Sequence, residues 1–227
     1  MKKKTFEVEI NPEIIKWARE TSGWTEEEVA KRLRTSLDNY RKIESGKKKP
    51  TYKQIEILAD CFKRPVATFF LPEPPKEPPI ASSFRILPKT DITFHKELLL
   101  AIRKARNYQS NLNELLPSLG ISPEPDITKR KLEDDPLIVA SEEREKLGIS
   151  LERQLSWKNP YSAFNEWRSA IEKKGIFVFQ FKFPLESARG FSLLDKNPPA
   201  IAINSTDNIL ARIFTLFHEY AHILLGI

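Results

Sequence analysis

Three residues near the end of the sequence have the types and the spacing of a metal site. His218, Glu219 and His222 form the pattern H-E-x-x-H within FTLFHEYAHILLGI, residues 214–227. Residues four apart lie on one face of an α-helix, so both imidazoles can contact one ion while the carboxylate lies beside them. This pattern on a helix is typical of zinc sites. Zinc is therefore the cofactor that the sequence predicts.

A helix that begins at Asn208 would carry this pattern. Burial of two histidines and a glutamate costs free energy unless they have polar partners, and a metal ion would be such a partner. We expect burial because apolar side chains fill two sides of the helix. They are Leu210, Phe214, Phe217, Ala221 and Leu224 on one side, and Ile209, Ile213 and Leu216 on the other.

The preceding ninety residues predict helices followed by short strands. Helices are expected over 137–147 and 162–174, and the run GIFVFQFKF then alternates as a strand does. Two more strands, over 190–194 and 200–204, are separated by the turn DKNPP. The aromatic side chains of the first strand predict a core rather than a ligand site; they are Phe177, Phe179, Phe181 and Phe183.

The first third of the chain has the pattern of short helices joined by tight turns. Thr25 and Glu28 form the capping box T-x-x-E ahead of an apolar face. Only two residues separate that helix from the next start signal at Ser36, and Gly46 ends the helix that follows. Two short helices with so short a connection are typical of a helix-turn-helix.

Charge is concentrated in the same third. The 227 residues have a formal net charge of +6. The first 78 residues contain 17 lysines and arginines against 13 acidic residues, and the remainder contains 20 against 18. A basic excess beside a helix-turn-helix favours a polyanionic partner, and double-stranded DNA is the expected one.

The segment from Thr25 to Leu71 resembles the Cro/CI-type (XRE) DNA-binding domain. The resemblance implies that the helix from Ser36 to Ser45 enters the major groove, where Leu37 would contact a thymine methyl and Asp38 would accept from cytosine. An acid near phosphates weakens binding, and Glu26 occupies a position that is often neutral in the family, so weak sequence specificity is expected. The landmarks are Ala30, Ile43 to Gly46, Pro50, Leu58, Ala59, Phe69 and Phe70. The expected DNA contacts are Ser36, Leu37, Asp38, Asn39, Arg41, Lys42, Lys47, Lys48 and Lys49.

From about residue 138 onward the chain resembles the ImmA/IrrE-type metallopeptidase family. The resemblance implies a small zincin domain in which His218 and His222 bind zinc and Glu219 is the base that takes a proton from the attacking water. The landmarks are residues 164–168, Glu172, Gly175, Ile176, residues 190–192, Ile203, Asn204, Ala211, Arg212, Phe214, Thr215, His218 and Glu219.

The sequence departs from that family after His222. The family takes its third zinc ligand, a glutamate, from a helix further along, and residues 223–227 contain no residue that binds zinc. We therefore expect a domain that lacks its C-terminal helices, or a substitute ligand. The candidates for a substitute are Glu186, Asp195 and Asp207.

The expected fold class is α+β, with an all-α five-helix domain over residues 1–72 and an incomplete metallopeptidase-like domain over 137–227. A proline-rich linker covers 73–92, and a long helix and loop cover 93–136. Leu98, Ile102, Ala105, Leu112 and Leu116 lie near heptad positions of that helix. They predict either a homodimer seam or an ordinary amphipathic helix that covers its own domain.

Localisation is expected to be cytoplasmic. The lysines of MKKKTFEVEI precede no apolar core, so the start is not a secretory signal, and no apolar run is long enough to cross a membrane. The single cysteine, Cys61, allows no internal disulfide.

These observations predict a transcriptional regulator. We expect a DNA-binding domain coupled to a zinc peptidase-like domain that, in a complete protein, would cleave a repressor or an antitoxin-like protein. With two zinc ligands alone, the chain is expected to bind DNA and to have little or no peptidase activity. The alternative is a non-catalytic repressor or antitoxin whose second half is a sensing or protein-interaction module.

Overall fold

The computed structural model describes residues 6–77 and 95–226. The chain divides into two compact units, residues 1–78 and 79–227, and each has its own hydrophobic core. The architecture is α+β, as predicted, because the first unit is helical and the second combines helices with a sheet. The part of the expected linker from residue 78 onward lies outside the described residues. Within the described ranges, no helix is both long enough and apolar enough to cross a lipid bilayer.

The first unit contains five short helical segments among its described residues. Side-chain caps begin the α-helices: Thr25 and Thr51 each form a capping box, and the Asn11 side chain accepts from the Glu13 amide. The segments are α1 (Pro12–Glu20), α2 (Glu26–Arg32), α3 (Leu37–Glu44), α4 (Tyr52–Phe62) and a 3₁₀ helix (Val66–Phe70).

A partly buried polar contact fixes α3 against α1. Glu44 on α3 accepts from Arg19 Nε on α1 at 2.8 Å and from the Tyr40 hydroxyl at 2.8 Å. Tyr40 and Ile43 lie in the core of the unit, so the inner side of α3 is held by packing and by these hydrogen bonds. The outer side of α3 is thereby presented to solvent in a fixed orientation.

The second unit combines five helices and three strands in the described part of the chain. Helices α6, α8 and α9 begin and end within about two residues of the predicted limits. The five-residue α7 was not predicted, because so short a helix has no apolar periodicity. The helices are α5 (Lys96–Ser118), α6 (Pro136–Lys146), α7 (Leu151–Leu155), α8 (Pro160–Glu172) and α9 (Ile209–Leu225). The strands are β1 (Phe177–Phe181), β2 (Gly190–Leu193) and β3 (Ala200–Asn204).

The three strands form one sheet in the order β1-β3-β2. Strand β1 runs parallel to β3, with Val178 paired to Ile201, and β2 runs antiparallel, with Ser192 paired to Ile201. Every residue of β3 is buried because helices cover both faces of the sheet. The buried central strand explains the continuous apolar run AIAI in its sequence.

Each face of the sheet has its own core. Val178, Ile201 and Ile203 pack with side chains of α8 and α9, whereas Ala200 and Ala202 pack with side chains of α5. The predicted aromatic stripe lies on the α5 side, where Phe179, Phe181 and Tyr108 lie within 6.1 Å of one another by ring centroids. Phe179 and Phe181 are only half-buried, and the fully buried residue of β1 is Val178.

The apolar seam of α5 is used within its own unit. Leu98, Ile102 and Ala105 are buried against the sheet. Gln109, which interrupts the seam, is fully buried, and its side-chain amide donates to the carbonyls of Leu193, Lys196 and Pro198 at 3.3, 2.9 and 3.0 Å. This packing favours the amphipathic-helix interpretation of the heptad pattern over a dimer seam.

Candidate functional site

The turn between α2 and α3 determines how α3 is presented. Arg34 adopts a left-handed backbone conformation with φ of 53°, and the Thr35 amide donates to the carbonyl of Ala30 at 3.0 Å. Ser36 then caps α3, since its side chain accepts from the Asn39 amide at 3.2 Å. The Asn39 side chain donates to Thr35 Oγ1 at 2.8 Å, a contact that no sequence pattern indicated.

Most of the predicted DNA contacts lie on the solvent-facing side of this turn and of α3. Asn39 is half-buried. Leu37 is also half-buried and packs against the core, so part of its apolar surface is already occupied. The remaining predicted contacts are exposed: Ser36, Asp38, Arg41, Lys42, Lys47, Lys48 and Lys49.

Several cations of this surface are paired with acidic or amide groups. Arg41 Nε lies 2.7 Å from Glu26, and Lys42 lies 2.7 Å from Asp38. Exposed ion pairs contribute little stability, about 0–1 kcal/mol, so phosphates can replace the carboxylates at small cost. Two lysines of the following turn are also paired: Lys48 donates to Asn39 at 3.0 Å, and Lys49 lies 3.3 Å from Glu9.

The histidines of H-E-x-x-H converge on α9. His218 Nε2 and His222 Nε2 are 3.1 Å apart, and the two rings are nearly perpendicular. Two nitrogens that bind one tetrahedral zinc at about 2.0 Å lie about 3.3 Å from each other, so this pair fits two positions of a zinc shell. The same separation also allows one ring to donate a hydrogen bond to the other. Phe214, one turn earlier, stacks on His218 with centroids 6.2 Å apart.

Glu219 lies against strand β2 of the sheet, whereas the histidines lie at the surface. Its side chain is buried, and burial raises the pKa of its carboxyl group to about 7. Ser192 of β2, also buried, donates a hydrogen bond to this carboxyl group and acts in the opposite direction on the pKa. Ser192 is among the landmark residues of the family resemblance, but no role was predicted for it.

Strand β2 reaches Glu219 because Gly190 has no side chain. A Cβ atom at Gly190 would lie 2.5 Å from Thr215 Cγ2 and 2.9 Å from the carbonyl oxygen of Ala202, so it would overlap both. The absent side chain lets α9 and β2 approach each other beside Glu219. The sequence shows a glycine at this position, but it does not indicate that Thr215, 25 residues further along the chain, is its neighbour.

None of the proposed substitute ligands joins the histidines in the described part of the chain. There, no group of three or more His, Cys, Asp or Glu side chains is placed to hold a metal ion. Asp207 is paired with Arg189 at 2.7 Å and precedes α9, about 15 Å along the helix axis from His218. Glu186 and Asp195 are exposed on connections between strands. The described residues therefore give no support to a substitute third ligand among these three.

The predicted burial of α9 is wrong for one of its sides. Leu210 and Phe214 are 62% and 72% exposed, and Ala221 and His218 are also exposed. The sheet covers one side of α9 and helix α8 covers a second, which leaves the side with Leu210, Phe214 and His218 in solvent. The two histidines therefore lie at the surface, and only Glu219 of the three is buried.

Two family models match the chain. The helix-turn-helix model matches residues 15–69, and the model of the IrrE N-terminal-like domain, a peptidase family, matches residues 171–226. The chain has no significant match among curated proteins or among solved structures. The first match contains α2, the turn and α3, and the second contains the sheet, Ser192 and the H-E-x-x-H residues. The predicted fusion is confirmed: this chain joins an XRE-type helix-turn-helix region to an ImmA/IrrE-type peptidase-like domain.

Proposed function

We propose that the chain is a DNA-binding regulator whose second unit binds zinc through His218 and His222 and uses Glu219 as a general base. The observation that carries this proposal is the His218–His222 approach of 3.1 Å beside a buried carboxyl group one residue further along. The proposed reaction is hydrolysis of a peptide bond in a repressor or an antitoxin-like protein.

The DNA contacts that we propose are those of α3 and the lysines that follow it. Their support is the match to a helix-turn-helix model together with the exposure of seven of the nine predicted side chains. Lysines that neutralise phosphates give an affinity that falls as salt rises, whatever the base sequence. The carboxylates of Glu26 and Asp38 beside the same surface oppose phosphate binding, so we expect weak discrimination between sequences.

Zinc and Glu219 would have different roles in the proposed reaction. When bound, zinc supplies a Lewis acid that polarises a carbonyl group and lowers the pKa of water. Glu219 would accept a proton from the attacking water. A carboxyl group with a pKa of about 7 is partly ionised at neutral pH, so it can both accept and return a proton.

A substrate that binds the same DNA would explain why the two functions share one chain. DNA held by the first unit would keep such a substrate near the second unit at a raised effective concentration. A repressor fits this requirement because it acts while bound to DNA, and an antitoxin-like protein fits it where it also binds DNA. Its cleavage would then relieve repression.

Zinc binding is tested on the full chain by elemental analysis and by cobalt(II) absorption. We expect weak binding, because two protein ligands hold zinc less firmly than three. His222→Ala should abolish the binding. His95→Ala is the matched control, since His95 is at the N-cap position of α5 without a side-chain capping bond and lies outside the pattern. Equal metal binding by all three proteins would contradict the proposed ligands.

A second candidate function is a repressor whose second unit senses a ligand without cleaving anything. The observation that favours it is a cavity on the side of α9 adjacent to the histidines. A DNA affinity that changes with a small ligand, and that Glu219→Gln leaves unchanged, would distinguish this candidate from a peptidase.

A further inference from the structure

A cavity of about 610 Å³ lies between α6 and α9 in the second unit. Its volume is within the range of about 300–1,000 Å³ that is usual for small-molecule sites. The walls are mainly apolar and aromatic, and they include Val139, Ala140, Trp167, Ile213, Phe217 and Leu224. The histidines of α9 do not line it.

The carboxylate in the cavity wall is already satisfied. Glu143 is buried and accepts from the Tyr220 hydroxyl at 2.8 Å, from Arg130 at 2.7 Å and from Lys146 at 3.0 Å. A carboxylate with three donors has little capacity left for a cationic ligand. Glu143 therefore acts as a structural anchor between α6 and α9 rather than as a contact for a bound cation.

The cations of the cavity are only partly paired. Arg130 Nη2 pairs with Glu142 and Glu143 at 2.7 Å, and Arg144 Nη1 donates to Gln154 at 2.8 Å. Arg130 Nε is buried and has no hydrogen-bond partner among the described residues. Lys131 also lines the cavity and is exposed to solvent. The lining contains three cationic side chains, of Arg130, Lys131 and Arg144, and two carboxylates, of Asp134 and Glu143. The charge of the lining thus favours an anion.

We propose that this cavity binds a small amphipathic anion, an apolar chain or ring system with a single carboxylate or sulfonate group. The apolar part lies between α6 and α9, and the acidic group lies at Arg130 and Lys131. Charge complementarity selects the anion over a neutral or cationic compound of the same length, and apolar burial provides most of the affinity.

The position of the cavity connects its ligand to the H-E-x-x-H segment. Tyr220 and Ala221, which line the cavity, lie between Glu219 and His222 on the same helix. A bound ligand therefore contacts the helix that carries the proposed zinc ligands from its adjacent side. Binding itself requires no metal, so the cavity can be tested separately from the proposed zinc site and peptidase activity.

Binding is tested on the metal-free full chain with 8-anilinonaphthalene-1-sulfonate, a fluorescent aromatic anion. Dodecanoate, dodecanol and dodecylamine, each below its micelle concentration, then compete with the bound probe. We expect one probe per chain, displacement by dodecanoate at the lowest concentration, and weaker competition by the other two. Equal competition by all three would overturn the proposed anion selectivity.

Two substitutions locate the binding site. Ala140→Trp fills the cavity from its exposed edge and should weaken probe binding at least about tenfold. The matched control is Ala67→Trp, at an exposed alanine of the first unit.

Lys131→Gln should weaken dodecanoate binding about fivefold and leave dodecanol binding unchanged. The control is Lys158→Gln, at another exposed lysine. Thermal unfolding followed by circular dichroism confirms that each variant is folded.

A third substitution separates the cavity from the exposed apolar side of α9. Phe214→Ser removes the most exposed large apolar residue of that helix. If the probe binds the cavity, Phe214→Ser leaves its affinity unchanged and Ala140→Trp reduces it. The reverse result, or no saturable binding to the unsubstituted chain, would overturn the proposal.

Discussion

Ser192 of β2 donates a hydrogen bond to the buried carboxyl group of Glu219 on α9. Burial raises the pKa of that carboxyl group, and the serine partly offsets the effect because its hydroxyl stabilises the charged form. Burial thus dominates the ionisation of Glu219, and a strand residue 27 positions earlier in the chain modulates it. His218 and His222, one residue before and three residues after Glu219, lie at the surface.

Ser192→Ala should raise the pKa of Glu219 above about 7 in the metal-free protein, because the hydrogen bond that favours the carboxylate is lost. The change is measured by carboxyl-carbon NMR titration with chelator present. Ser156→Ala, at an exposed serine, should leave the titration unchanged. An unaltered Glu219 titration in Ser192→Ala would contradict the assigned contact.

Glu219→Gln should stabilise the metal-free protein at high pH. The folded pKa of about 7 exceeds the ordinary 4.5, so the native state binds the proton more tightly than the unfolded state does. Stability therefore falls as pH rises from about 4.5 to 7, and the full penalty of up to about 3 kcal/mol applies above pH 7.

Urea unfolding with chelator at pH 4.5 and at pH 8 measures this difference. The advantage of Glu219→Gln over the unsubstituted protein should be near zero at pH 4.5 and largest at pH 8. The exposed Glu186→Gln provides the reference for loss of one carboxylate. An advantage of the same size at both pH values would show that ionisation of Glu219 is not its cause.

Glu26→Gln should strengthen DNA binding. Glu26 pairs with Arg41 at 2.7 Å, and its loss frees a cation on the outer side of α3 and removes a charge that repels phosphates. We expect an affinity gain of about three- to tenfold at low salt, measured by fluorescence anisotropy with a mixed-sequence duplex. Glu124→Gln, in the second unit, should have no comparable effect; equal gains would indicate a change in net charge alone.

Lys48→Gln should weaken DNA binding to a similar extent on every sequence. Lys48 is exposed in the turn after α3 and donates only to Asn39 among the contacts described for it. Loss of one phosphate contact lowers the slope of log affinity against log salt by about 1. An unchanged slope, with a loss confined to certain duplexes, would instead assign Lys48 to base recognition.

Gly190→Ala should destabilise the second unit by about 2 kcal/mol, because the new methyl group overlaps Thr215 and the Ala202 carbonyl. Thr215→Ser removes the Cγ2 atom that lies 2.5 Å from the added Cβ and should restore part of the loss in the double variant. Chemical unfolding of the four proteins of this cycle measures the coupling. A strictly additive result would assign the destabilisation to the backbone contact alone.

The sequence was informative where the determining contacts are local. The capping box of Thr25 and Glu28, the turn before Ser36 and the four-residue spacing of His218 and His222 all depend on neighbours along one helix, and the structure contains all three features. The apolar residues of α9, in contrast, fill two sides of the helix. Composition alone could not indicate which side would remain in solvent.

Long-range contacts explain the rest of what was not predicted. The hydrogen bond between Tyr220 and Glu143 joins residues 77 positions apart, and it forms only once α6 packs beside α9. The role of Ser192 likewise depends on the register of β2 against β3 and on the absence of a side chain at Gly190. Neither contact has a periodicity or a spacing that a single sequence displays.

The buried side-chain amide of Gln109 couples the local unfolding of α5 to that of β2. Separation of α5 from the sheet would leave the carbonyls of Leu193, Lys196 and Pro198 without their donor, and the bonds to Leu193 and Pro198 are buried. Leu193 ends β2, the strand that carries Ser192. Helix α5 and β2 should therefore exchange their amide hydrogens as one cooperative group, so that fraying of α5 also exposes Glu219 to water.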